Sequence, residues 1–97
     1  MYKYDYTICN MADEEVFYKQ CAAIEKHIKG LEKEELLEDV DGSVFQIYLL
    51  NGKKIKVSNS MSVDSVYVES EMDIEPFFVE IHEGSAEVYA KKLQKAI

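Results

Sequence analysis

Hydrophobic and polar positions alternate from the first residues of the chain. Tyr2, Tyr4, Tyr6 and Ile8 fall on one side and Lys3, Asp5 and Thr7 on the other, the two-residue period of a half-buried strand. The period then changes. Phe17, Cys21, Ile24, Ile28 and Leu31 follow one another at steps of four, three, four and three, which gathers them into one stripe on a helix while Glu25, Lys26 and Lys29 point elsewhere. Asn10 stands three residues before Asp13, an arrangement able to cap a helix start, and Asp13, Glu14 and Glu15 place negative charge where the helix dipole favours it. Gly30 suits the C-terminal cap and Lys26 and Lys29 suit the negative end of the dipole, so a helix is predicted over about residues 11–29.

The stretch from Leu31 to Val40 carries two signals. Glu32-Lys33-Glu34-Glu35-Leu36-Leu37 favours helix by propensity, whereas Leu36, Glu38 and Val40 alternate as in an edge strand. A short strand is preferred because Asp41-Gly42, a tight-turn dipeptide, comes next and leads into Val44-Phe45-Gln46-Ile47-Tyr48-Leu49. Asn51-Gly52 repeats the turn signal, and Ile55 and Val57 then alternate with Lys54, Lys56 and Ser58 to complete a hairpin. Beyond a polar loop over residues 58–62, Val66 and Val68 alternate with Tyr67 and Glu69 in a strand within 63–71. Pro76 closes the following loop. Phe77, Val79 and Ile81 alternate with Phe78, Glu80 and His82 in a last strand, and Gly84-Ser85 introduces a terminal helix whose face holds Tyr89, Leu93 and Ala96.

This order predicts an α+β, two-layer domain spanning residues 1–97, with an antiparallel meander sheet of four to five strands covered by one long helix and followed by a C-terminal helix. The order of elements is similar to the cystatin-like arrangement, but the Gln-x-Val-x-Gly signature of cystatins is absent around Gln46. That likeness concerns architecture and implies no activity. A chain of 97 residues is long enough for one hydrophobic core and too short for two.

Charge narrows the functional classes. The formal net charge is −8 and all eleven basic residues are lysine, so phosphate backbones and anionic headgroups are repelled and the bidentate grip of arginine is missing. Direct nucleic-acid binding and membrane binding are therefore not expected. The opening residues lack the apolar stretch of a signal peptide, which predicts a cytoplasmic protein with Cys9 and Cys21 as free thiols.

Each constellation that suggests chemistry has a simpler explanation. Asp39-Val40-Asp41-Gly42 has the look of a calcium loop, but with Gly42 at the sixth position the first and twelfth fall on Leu37 and Tyr48, which bring no carboxylate. Cys9, Cys21, His27 and His82 are zinc-type donors without a closely spaced pair, and Cys21 belongs to the apolar stripe. Neither thiol lies in a nucleophile motif, and Gly30, Gly42, Gly52 and Gly84 are too scattered for a phosphate loop. No catalytic residue, metal or cofactor is assigned.

What remains is the distribution of acids. Residues 63–87 hold eight acids and no base, while Lys53, Lys54, Lys56, Lys91, Lys92 and Lys95 lie elsewhere, a separation of sign that suggests an acidic docking face. Glu69, Glu71, Asp73 and Glu75 would steer a basic protein partner, with Tyr67 and Phe78 as aromatic anchors. The leading expectation is a non-enzymatic protein-binding module, of the kind represented by immunity-type inhibitors of basic partners. The alternatives are a ligand-binding domain or enzyme with a pocket on the concave face of the sheet, and a structural homo-oligomeric subunit.

Overall fold

The structure, a computed structural model, describes residues 2–74 together with Lys95 and Ala96. Its elements in chain order are β1 (Tyr4–Cys9), α1 (Glu14–His27), β2 (Glu32–Lys33), β3 (Leu37–Glu38), β4 (Val44–Leu50), β5 (Lys53–Ser60), β6 (Ser65–Ser70) and β7 (Lys95–Ala96). All pairings are antiparallel, in the order β2-β4-β5-β6-β1-β7, with β3 beside β2 along the same edge of β4. The architecture is α+β, one helix packed on one antiparallel sheet. The sheet is wider than four to five strands because the acidic stretch after the helix splits into two short edge strands and β7 adds to β1. The expected strand over residues 77–82 lies outside the described residues. So does the expected C-terminal helix, save that Ala96, assigned to its face, pairs with β1 in β7.

The alternation read from the sequence sets which side chains meet the helix. In β4, Val44, Gln46, Tyr48 and Leu50 are buried, and across the ladder Gln46 faces Val57 while Tyr48 faces Ile55. Val57 in turn faces Val68, and Val68 faces Tyr6. Phe17, Ile24 and Ile28 press onto this floor and Ile74 closes it. Full burial of one such aliphatic or aromatic side chain contributes roughly 1.5–3 kcal/mol relative to exposure. Gln20 lies fully buried in the same layer, and neither its amide nitrogen nor its amide oxygen has a hydrogen-bond partner.

The helix begins later than the sequence suggests. Asp13, not Asn10, is the N-cap, with an extended backbone (φ −155°) and a side-chain oxygen that accepts the Val16 N–H at 3.1 Å. Two further bonds from the sheet side fix the entry: Asn59 Oδ1 accepts the Asp13 N–H and Asp64 Oδ1 accepts the Ala12 N–H, each at 2.9 Å. At the other end Ile28 is the C-cap, turning extended while its N–H still reaches the Ile24 carbonyl at 2.9 Å. Gly30 is thus displaced from the cap to the turn that follows. The Asn51-Gly52 hairpin forms as expected, with φ of 53° and 81° at its two central residues, the pair of positive angles that joins twisted strands most tightly.

Candidate functional site

The face of the sheet turned away from α1 holds two of the residues assigned to partner binding. Antiparallel register puts Ser58, Tyr67 and Thr7 in one row and Lys56, Glu69 and Asp5 in the next. Tyr67 and Glu69, two apart on β6, share this face. Glu69 is pushed up from the ordinary carboxylate range mainly by burial, with Lys56 drawing it down and Asp5 pushing it up. Asp5 is raised by burial as well, and one of its oxygens is buried without a partner. Lys56 itself stands over the Phe45 ring, 4.7 Å from its centroid, a distance suited to cation–π attraction.

The other assigned acids turn to structural tasks. Glu71 accepts the Lys54 N–H at 2.6 Å, and that bond holds its carboxyl low. Asp73 accepts the Tyr6 hydroxyl at 2.9 Å. Glu75 and Phe78 lie outside the described residues. The lysines that seemed remote along the chain are neighbours here: Lys56 pairs with Glu69 across the ladder, and Glu71 donates its own N–H to the Lys54 carbonyl. Separation of sign along the sequence therefore becomes pairing of sign across β5 and β6.

Unbalanced charge collects instead on the ribbon that edges β4. Every residue from Glu32 to Gly42 is exposed. The ribbon carries Glu32, Glu34, Glu35, Glu38, Asp39 and Asp41 against a single lysine, Lys33, and Lys33 is itself drawn 3.0 Å from the helix carboxylate of Glu25. Its backbone is fastened to the sheet at Glu34, whose N–H donates to the Ile47 carbonyl at 2.9 Å and whose carbonyl accepts the Gln46 side-chain amide. Among the described residues the ribbon forms an outer edge of the sheet, with Leu36, Leu37 and Val40 also open to solvent.

Where the ribbon leaves the helix there is a shallow cleft of about 300 Å³ lined by Glu25, Ile28, Gly30, Leu31, Lys33 and Tyr48. Its polar wall is one node: the buried Tyr48 hydroxyl donates to Glu25 Oε2 at 2.6 Å, and Lys33 Nζ reaches the same oxygen. Burial alone would raise Glu25, but the hydrogen bonds from Tyr48 and Lys33 and the ammonium charge outweigh it and hold the carboxyl low. Tyr48 is pushed well above the usual phenol range by burial and by its carboxylate acceptor. The node thus joins an ionised carboxylate to a neutral phenol and ties helix, sheet and ribbon together. Cys21 lies behind it, its thiol pushed up to about 11 by burial, which suppresses the thiolate needed for nucleophilic attack. Cys9 is half-buried and free. Among the described residues no three His, Cys, Asp or Glu side chains converge as a metal site would require.

A short edge strand was legible in this stretch, but its six acids drew no functional assignment because they are interleaved with apolar residues in a run that also favours helix by propensity. The run Glu32 to Asp41 between a helix and a tight turn was the available signal. Comparison of the chain with protein-family models, curated proteins and solved structures gives no match, so function rests on the chain's own geometry.

Proposed function

We propose that this chain is a non-enzymatic recognition module that engages a basic protein partner, as an immunity-type inhibitor does, with the exposed ribbon of residues 32–42 as its first contact. The observation that supports it is the concentration of six acids on one fully exposed edge whose lone lysine is already drawn to Glu25. Fixed charge of one sign on a projecting edge raises the encounter rate with an oppositely charged protein, and the effect weakens as salt shortens the screening length. Tyr67 and Glu69 supply a secondary contact on the outer face.

Charge on an edge strand also discourages pairing with other sheets, so the test must separate recognition from protection. Triple reversal of Glu34, Glu35 and Glu38 to Lys leaves the buried core untouched, because all three side chains are exposed. Affinity capture from native extract at low and high salt is expected to retain a basic protein only at low salt and only with the unaltered ribbon. Capture that survives both the reversal and high salt sinks the proposal, as does the absence of any basic protein while the reversed chain merely aggregates.

A further inference from the structure

Exposed aliphatic side chains scattered singly over a surface are ordinary, but several brought together on fixed loops mark an interaction site. Four lie on the three loops that gather at one end, or pole, of this sheet. Met11 lies in the β1–α1 loop, Val40 in the β3–β4 turn, and Met61 and Val63 in the β5–β6 turn. Their exposures are 61% for Met11, 44% for Met61 and 64% for Val63, with Val40 fully in solvent. Side chain-to-backbone hydrogen bonds lock the three loops to one another. Ser43 Oγ accepts the Met61 N–H at 2.8 Å, joining the second loop to the third, and Asp64 Oδ1 accepts the Ala12 N–H at 2.9 Å, joining the third to the first.

The acids on these loops do two jobs. Asp39 Oδ1 accepts the Val40 N–H at 2.7 Å and Asp41 Oδ1 accepts the Ser43 N–H at 2.9 Å, just as Asp64 uses its Oδ1 on Ala12. Each carboxylate is thereby fixed in direction, and all three residues are exposed to solvent, where a cation can approach them. No lysine occurs in residues 10–13, 39–43 or 60–64. The pole thus presents exposed aliphatic side chains and oriented carboxylates on loops that are joined before any partner arrives.

We propose that this pole is the anchor site for the partner: it receives an apolar side chain of a protein segment in which that side chain is flanked by lysine or arginine. The assignment rests on the basic-partner proposal above and adds where the partner is gripped and by what chemistry. Complementary charge selects this occupant. An anionic lipid surface meets three carboxylates without a compensating base, and a second copy of the chain brings the same carboxylates against themselves. A basic segment with an apolar anchor satisfies both parts of the surface, and the locked loops reduce the ordering cost of binding.

The test is a titration of the full chain, labelled with nitrogen-15, by three synthetic peptides: alternating leucine and lysine, lysine alone at equal charge, and alternating leucine and glutamate. Amide shifts are expected at residues 10–13, 39–43 and 60–64 with the leucine–lysine peptide, and weaker ones with lysine alone. Val40→Ser combined with Val63→Ser, both at exposed sites, is expected to weaken that peptide by roughly tenfold, the loss typical of removing anchor contacts. Shifts confined to residues 32–38, with equal affinity for the lysine-only peptide, overturn the anchor site and leave the basic-partner proposal standing. No shifts with either basic peptide overturn both. Shifts at the pole produced instead by neutral or anionic vesicles, or by concentrating the protein alone, assign the surface to lipid or to self-association and overturn the inference.

Discussion

The strands β4 to β6 and the ribbon of residues 32–42 belong to one sheet and obey opposite rules. Along β4 the residues alternate strictly between buried and half-buried, and the inner positions meet Val57, Ile55 and the helix. Along the ribbon nothing is buried, and pairing with β4 is limited to two residues at Glu32–Lys33 and two at Leu37–Glu38. Burial dictates side-chain choice in the first region, while in the second the backbone is held at a few points and the side chains are left to the solvent. Stability should therefore be concentrated in one and surface chemistry in the other.

Five measurements break or sharpen that contrast. Phe17→Ala, at a fully buried position, is expected to cost about 3–5 kcal/mol in denaturant unfolding, whereas Leu37→Ala on the ribbon should fall within about 0.5 kcal/mol. Similar losses at the two sites would erase the distinction. Tyr48→Phe acts where the regions join, because the Tyr48 hydroxyl holds the carboxylate that also receives Lys33. Removing that donor is expected to cost about 0.5–1.5 kcal/mol, the net worth of one hydrogen bond, because Glu25 is exposed and keeps Lys33 and solvent.

The same joint predicts a pH response. Glu25 has its carboxyl lowered on folding, so its contribution is complete above the unfolded carboxyl value of about 4.3 and is lost as pH falls through the lower folded value. Acid titration of stability should show a smaller decline in Tyr48→Phe than in the unaltered chain; an identical decline would remove Glu25 from the account. Asp5 and Glu69 act with the opposite sign. Their carboxyls are raised, so protonation as pH falls through those raised values relieves them and partly offsets the loss at Glu25 in mild acid. The fourth measurement concerns Gln20, buried with both side-chain polar atoms unpartnered. Gln20→Met keeps the shape and removes the unmet groups, and is expected to stabilise by about 1 kcal/mol. Destabilisation there would show that the amide has a role in this layer beyond filling space.

Much of the first region was legible in the chain. Period-two runs identify β1, β4, β5 and β6, the stripe Phe17-Cys21-Ile24-Ile28 identifies the covering helix, and Asn51-Gly52 sets the hairpin, since each depends on neighbours close in sequence. The second region was legible in part: a short edge strand ahead of the Asp41-Gly42 turn is expected there and β3 supplies it, but its use as a charged surface was not. Residues 32–38 are good helix formers held extended by β4, a tertiary override of local propensity. The acids after residue 63 looked unopposed because the register that sets Lys56 against Glu69 exists only once β5 and β6 pair. The pole was hidden for the same reason, its four aliphatic residues lying in three loops far apart along the chain.

The helix entry shows what such distant fastening does to time. Asp13 is held by Asn59 across 46 positions and Ala12 by Asp64 across 52, whereas the β4–β5 hairpin closes over two residues, a process on the order of 1–10 μs. Loop-closure entropy delays the former contacts until the hairpin exists. The fifth measurement follows from that order: in a chevron, Asn59→Ala should leave the folding limb nearly unmoved and raise the unfolding rate, and a slowed folding limb would place the seam in the nucleus. The clasp at the start of α1 is thus expected to set how long a folded molecule persists rather than how quickly one is made.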